Sequence, residues 1–167
     1  MEDQERGIWL ENAMNQWETS LLRLCFCYLQ DAALAEDAVQ ETFLKAWKGY
    51  RRFRREGSEK TWLTRIAINT CKDMQKSAWY RHTDRSTALD DLPEGSVPFE
   101  DGDDTVTRAV LALPDKQREA ALLCWLHGMS SREAARALRV PHATLYYRLK
   151  QAQKTLRREL EEWFYAT

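Results

Sequence analysis

The sequence is poor in chain breakers: 6 glycines and 4 prolines in 167 residues. So few turn formers leave room for long helices and argue against a many-turned β-sandwich. No run of 18 apolar residues occurs, so no membrane-spanning helix is expected. The first residues, Met1-Glu2-Asp3-Gln4-Glu5, are acidic and lack the basic-then-apolar order of an export signal. A cytoplasmic location is therefore expected. The 4 cysteines (Cys25, Cys27, Cys71, Cys124) form no Cys-x-x-Cys pair, and His82, His127 and His142 stand at no zinc-ligand spacing from them. Reduced thiols inside helices are the expectation, with no metal and no cofactor. Paired catalytic carboxylates, a Gly-rich phosphate loop and a nucleophile–base pair are also missing, so the chain is not read as an enzyme. Asp37 and Glu41 are four apart on one helix face, a metal-pair spacing, but no histidine accompanies them.

Charge is present in quantity and is segregated. The formal net charge is −1. Residues 1–44 hold 2 basic and 9 acidic residues, and residues 45–85 hold 12 basic and 4 acidic. Residues 86–107 hold 7 acidic and no basic residues, and residues 108–167 hold 11 basic and 6 acidic. Two basic stretches on either side of an acidic one point to two polyanion-contacting modules on a tether.

Apolar spacing predicts an all-α chain. A first helix over 6–29 carries Met14, Trp17, Leu21 and Tyr28. Asp31 caps a second helix over 32–53, with Leu34, Val39, Phe43, Trp47 and Tyr50 on its stripe. A third runs over 59–79 with Trp62, Ile66 and Met74. Three helices with short joins close around one small core. Residues 86–104, with Pro93, Gly95, Pro98, Gly102 and an acidic run, read as a flexible linker. Helical patterning resumes over 105–113 up to Pro114, and again from Asp115 to near His127, with Gly128 as its stop. The expected domains are 1–85, a linker 86–104, and 105–167.

Ser130-Ser131-Arg132-Glu133 is a capping box that opens a short helix ending near Leu138. Pro141 opens the last helix, which runs to about Phe164. A short helix, a tight turn and a basic helix have helix-turn-helix spacing. Ala135, Leu138, Thr144, Leu145 and Leu149 are the expected interhelical contacts. Residues 130–158 hold 8 basic residues and one acidic one, enough to meet several phosphates. The first turns of the second helix face base edges, so His142, Ala143, Thr144, Tyr146, Tyr147, Arg148, Lys150, Gln151 and Lys154 are the candidate DNA-binding residues.

Three further stretches carry a specific pattern. They are Asp37-Ala38-Val39-Gln40-Glu41 with Phe43, Ala46 and Trp47, then Phe53-Arg54, then Thr61-Trp62-Leu63 with Arg65-Ile66-Ala67 and Asn69. This resembles region 2 of bacterial extracytoplasmic-function (ECF) sigma factors, the compact branch of the sigma-70 family. Leu113-Pro114-Asp115-Lys116-Gln117-Arg118, Gly128 to Ala135, and Pro141 to Ala152 resemble region 4 of the same family. Together the likeness spans roughly residues 10–80 and 105–160.

The resemblance implies an RNA polymerase sigma factor that binds core polymerase and directs initiation at −35 and −10 promoter elements, opening the latter. It implies two small helical domains, a region 2 three-helix bundle and a region 4 helix-turn-helix. It places contact with the clamp coiled coil of core polymerase on Asp37, Gln40, Glu41, Phe43, Leu44 and Trp47, and a second contact of the protein on the flap. Only part of that stripe can touch polymerase, since Phe43 or Trp47 must also fill the core. The −10 element is assigned to Tyr50, Arg51, Arg52, Phe53, Arg54, Trp62 and Asn69. Positive charge beside an aromatic ring is what single-strand capture requires, and an amide such as Asn69 can both donate to a base and accept from it. An anti-sigma factor clamping between the domains is implied by resemblance alone. The sequence departs from the family where Tyr146-Tyr147 precedes Arg148, where Gln151 replaces an arginine, and where Arg139 stands in place of a turn glycine. The competing readings are an autonomous helix-turn-helix regulator with an N-terminal dimerisation or sensing bundle, and an enzyme acting on nucleic acid. Dependence on polymerase separates the first from a sigma factor.

Overall fold

The computed structural model describes residues 1–53, 57–77 and 104–166. Arg54 and the acidic segment 86–103 lie outside the described residues. Among the described residues every regular element is a helix, with no strand. The chain divides into two compact units, Met1–Phe99 and Glu100–Thr167.

The first unit is built from α1 (Glu2–Leu29), α2 (Ala32–Lys48), the single turn α3 (Tyr50–Phe53) and α4 (Glu59–Gln75). Helices α1, α2 and α4 pack pairwise around one core. Leu21, Phe26, Leu29, Val39, Phe43 and Leu63 are buried there, with Ala35, Ala38, Ala46 and Ala67 at the close crossings. Fully burying one of the large side chains contributes about 1.5–3 kcal/mol. Helix ends are set by specific side chains. The Asp31 carboxylate accepts from the Leu34 N–H at 2.9 Å, and the Ser58 hydroxyl accepts from the Thr61 N–H at 3.2 Å. Each satisfies a backbone donor that the helix leaves without a partner.

The second predicted helix is in fact two. It breaks at Gly49, where a Cβ would lie 3.3 Å from both the Lys45 carbonyl oxygen and Cζ2 of Trp62. The indole edge occupies the space a side chain at 49 would need; α2 ends at Lys48 and α3 begins at Tyr50. The third helix ends at Gln75 rather than 79. The first starts four residues earlier than its apolar stripe indicated.

Three thiols, Cys25, Cys27 and Cys71, are buried in this unit. Burial pushes the Cys27 thiol up to about 12. A side-chain hydrogen bond with Cys25, and then burial, raise that of Cys71.

The second unit comprises α5 (Asp104–Leu111), α6 (Asp115–Ala121), a π-helical turn over Leu122–Leu126, α7 (Ser131–Leu138) and α8 (His142–Ala166). Asp104 begins α5 rather than ending the linker. The helix expected to reach His127 changes to π geometry after Ala121, with the His127 N–H donating to the Leu122 carbonyl at 2.8 Å. Gly128 then reverses the chain at φ 71°, a conformation that favours glycine. The core is rich in alanine: Ala120, Ala121, Ala134, Ala135, Ala137 and Ala152, with Leu122, Leu123, Leu145 and Leu156. Small residues let α7 and α8 approach closely.

Candidate functional site

Helix α2 presents two faces. Ala38, Val39, Thr42, Phe43 and Ala46 point into the core, while Asp37, Gln40, Glu41 and Leu44 are exposed. Positions i, i+3, i+4 and i+7 share one side of a helix, so the four exposed residues form a single stripe. Phe43, one of the predicted polymerase contacts, is buried. Beside the stripe lies an apolar hollow of about 410 Å³ between α1 and α2, lined by Leu10, Met14, Val39, Phe43, Leu44 and Trp47, with Gln40 and Glu18 completing the wall. Trp47 is half-buried, and the Arg6 guanidinium sits 4.0 Å from its ring centroid. Asp37, Gln40, Glu41, Leu44 and Trp47 are thus brought together, and an unpredicted wall from α1 adjoins them.

The cationic residues gather at the other end of α2. Lys45, Lys48, Gly49, Arg51 and Arg52 surround a second hollow of about 470 Å³. Lys45 Nζ donates to Thr70 Oγ1 at 3.0 Å, which ties the group to α4 beside the exposed Asn69. Arg51 forms a two-pronged ion pair with Glu2, at 2.8 and 3.0 Å. Arg52 is exposed.

The aromatic residues predicted to meet DNA are placed differently from the cations. Tyr50 and Trp62 are buried and Phe53 is half-buried. Their rings form one cluster with Trp9 of α1. Trp9 lies 5.0 Å from Tyr50, 5.9 Å from Phe53 and 6.0 Å from Trp62, and Phe53 lies 5.2 Å from Trp62. Phe53, expected to offer a free stacking face, has both Trp9 and Trp62 against it. The Glu59 carboxylate accepts from Trp9 Nε1 at 3.2 Å and from Trp17 Nε1 at 2.9 Å, one oxygen for each. Sequence reasoning missed Glu2, Trp9, Lys45, Lys48 and Glu59. The spacing of Trp9 and Trp17, eight residues and about two turns apart, was the available signal for Trp9.

In the second unit the geometry follows the turn chemistry. The Ser130 hydroxyl accepts from the Glu133 N–H at 3.1 Å. At the other end of α7, the Arg139 N–H donates to the Arg136 carbonyl and the Val140 N–H to the Ala135 carbonyl. This pair of bonds is a Schellman closure, which needs a left-handed residue. Arg139 supplies it at φ 56° where glycine is usual. Helix α8 then starts at His142, directly after Pro141. His142 Nε2 and Ser131 Oγ are 2.8 Å apart, joining the first turns of α7 and α8.

His142, Ala143, Tyr146, Tyr147, Lys150 and Lys154 are exposed, Tyr147 at 64% and Tyr146 at 50%. Thr144, Arg148 and Gln151 are half-buried, and Leu145 is fully buried against α7. Lys150 Nζ stands 5.3 Å from the Tyr146 ring centroid. Further along α8, Lys150, Lys154, Arg157 and Arg158 share a third hollow with Gln153 and Glu161. Of the predicted −35 residues, His142, Ala143, Tyr146, Tyr147 and Lys150 are thus exposed over the first turns of α8 with Lys154 behind them, while Thr144, Arg148 and Gln151 are partly covered. Among the described residues, no three His, Cys, Asp or Glu side chains converge as metal ligands, and no helix is long and apolar enough to cross a membrane.

Comparison with known proteins places these features in a family. Residues 14–92 match Sigma-70 region 2 and residues 103–156 match Sigma-70, region 4. The ECF RNA polymerase sigma factor SigC of Mycobacterium tuberculosis is 34% identical over 137 residues, covering 80% of this chain and 74% of that protein. SigW of Bacillus subtilis is 27% identical over 160 residues, covering 87% and 86%. Two solved structures share the fold. CnrH, determined in complex with the cytosolic domain of CnrY, has a TM-score of 0.70 at 21% identity, covering 92% of this chain and 88% of that one. The sigma factor RpoE of Bartonella quintana, determined with the anti-sigma factor NepR, has a TM-score of 0.69 at 24% identity, covering 90% and 98%. With a region 2 bundle, a region 4 helix-turn-helix and this degree of kinship, the chain belongs to the sigma-70 family, among its ECF RNA polymerase sigma factors.

Proposed function

We propose that this sigma factor divides its work among three faces. The α2 stripe of Asp37, Gln40, Glu41 and Leu44, with Trp47 at its end, docks on a basic and apolar surface of core polymerase, the clamp coiled coil. Lys45, Arg51, Arg52 and Asn69 hold the opened strand of the −10 element, with Arg54 next in sequence. The start of α8 reads the −35 element, with Tyr146, Tyr147 and Lys150 foremost, while Lys154 meets phosphate. The observation that carries this reading is the separation of charge in the first unit: an exposed acidic stripe on α2, and a hollow ringed by four cations where that helix ends. An acidic stripe repels DNA and suits a basic protein surface, whereas clustered cations suit phosphate.

Trp62 and Tyr50, being buried, support the −10 segment rather than touch the strand. Phe53 offers only its remaining exposed edge. The chain acts by binding, not by catalysis. Residues 1–85 and 104–167 serve as the two modules, joined by 86–103, since Asp104 already belongs to α5. The flap of core polymerase is the expected partner of the second module. An anti-sigma factor is a further partner, in keeping with the complexes of CnrH and RpoE, and the cytoplasm is the site of action. The autonomous-regulator reading is not favoured, because region 2 accounts for the N-terminal unit.

The decisive test reverses Asp37 and Glu41 to Lys. Both side chains are exposed, so the fold should survive, and core affinity should fall at least about tenfold from lost contacts and new repulsion. Unchanged core affinity with a native circular dichroism spectrum would refute the docking face.

A further inference from the structure

We infer that the first turns of α1 are part of the promoter-opening apparatus, with Trp9 as a positioning residue for the −10 segment. The inference rests on the proposed role of Arg51 and Arg52 in holding the opened strand. These turns precede residue 14, where the match to Sigma-70 region 2 begins.

The physical need is plain. Arg51, Arg52 and Phe53 ride on α3, a helix of four residues. One turn fixes several dihedral angles for a single hydrogen bond and is not stable alone. The bond here runs from the Arg52 N–H to the Gly49 carbonyl at 2.9 Å. Something outside α3 must hold it, and the contacts come from α1 and from Trp62 of α4. Trp9 lies against Tyr50 and Phe53, the first and last residues of α3, and against Trp62 of α4. Its own ring is fixed by the hydrogen bond to Glu59. Glu59 is in turn held in place by Trp17, so the carboxylate links two points on α1 to the start of α4. Glu2 meets Arg51 at the far end of the same helix. That exposed pair adds little energy, but it draws the guanidinium toward α1.

Most of these ties run from α1 to α3 or to the first turn of α4, and Trp62 of α4 adds one more, against Phe53. Such bracing sets the strand-holding side chains in place before DNA arrives, so less ordering is left to oppose binding. The residues that do this touch no base.

The test uses the full chain assembled with core polymerase. Affinity for a single-stranded oligonucleotide of the −10 non-template sequence is measured beside affinity for core and thermal stability. Trp9→Ala should lower oligonucleotide affinity about tenfold, because ordering of the strand-holding side chains is then left to the moment of binding, while core affinity changes less than about twofold. Trp9→Phe keeps a ring in the cluster and should recover most of the loss. Glu59→Gln leaves both indoles in place but weakens their shared acceptor, and gives a milder form of the same defect should Trp9→Ala fold poorly.

A merely structural role would lower core affinity, stability and oligonucleotide affinity in parallel, and that outcome overturns the inference. So does full oligonucleotide affinity in Trp9→Ala and Glu59→Gln. Arg51→Ala with Arg52→Ala is the control on the underlying reading. If that pair leaves oligonucleotide affinity unchanged, the strand-holding assignment itself fails, whatever Trp9 does.

Discussion

The two units hold the side chains proposed to meet DNA by opposite means. In the second unit the presenting element is α8, a helix of 25 residues. Its inward side chains, Leu145, Ala152 and Leu156, anchor it, and its outward ones are free to meet DNA. Support and contact fall on alternate faces of the same helix. In the first unit the presenting element is a four-residue turn held by rings from residues 9, 50, 53 and 62. Support and contact are interleaved there, and Phe53 belongs to both. A long helix can change its reading face without touching its anchor; a braced turn cannot.

The largest test of this contrast lies within α8. Leu145→Ala, at a fully buried position, should cost about 2–5 kcal/mol of stability. Tyr147→Ala, two residues on, should change stability by no more than about 0.5 kcal/mol. It should still cost about 1–3 kcal/mol in −35 binding and relax base preference at particular positions. Urea unfolding and a selection on randomised −35 DNA with holoenzyme separate the two. A large stability loss for Tyr147→Ala would erase the distinction.

Next comes Phe53→Ala. Because the ring is half-buried in the cluster, we expect about 1–3 kcal/mol of lost stability together with weaker opening of the −10 region in permanganate footprints. A variant that lost opening with no loss of stability would show that Phe53 is a contact only, as residues of α8 are.

Arg139→Gly is expected to stabilise the second unit by about 0.5–1 kcal/mol, since a left-handed conformation costs a side-chain-bearing residue about 1–2 kcal/mol and glycine's extra chain entropy returns only part of that. A lowered urea midpoint would mean that the arginine side chain holds the turn. The smallest expected effect is that of Lys154→Ala, which should weaken all DNA sequences about equally and lower the salt slope by about one. A change in sequence preference instead would move Lys154 from the flank to the reading face.

The same contrast explains what the sequence made legible. The helix-turn-helix was readable almost residue by residue, because its determinants are local: Ser130 as cap, Pro141 as helix start, and Leu145 at apolar spacing. The exposed stripe on α2 was readable for the same reason, as positions 37, 40, 41 and 44 lie on one helix. The break at Gly49 was not, because it depends on an indole thirteen positions later. Neither was the π-helical turn, where a continuous apolar run carries no mark of its changed hydrogen bonding. Trp9 and Glu59 were missed because their roles are set by partners about 40 to 50 positions away in the chain. The family resemblance did not reach that far toward the N-terminus.

The one-turn helix α3 also has a consequence in time. An isolated turn opens on the scale of nanoseconds to microseconds, too fast to shield its amides from solvent deuterium. Here the rings of Tyr50 and Phe53, at the two ends of the turn, pack against Trp9, so release of the Arg52 amide is expected to wait on the parting of that cluster. On that expectation its exchange rate is a clock for the rings rather than for the backbone that carries the cations.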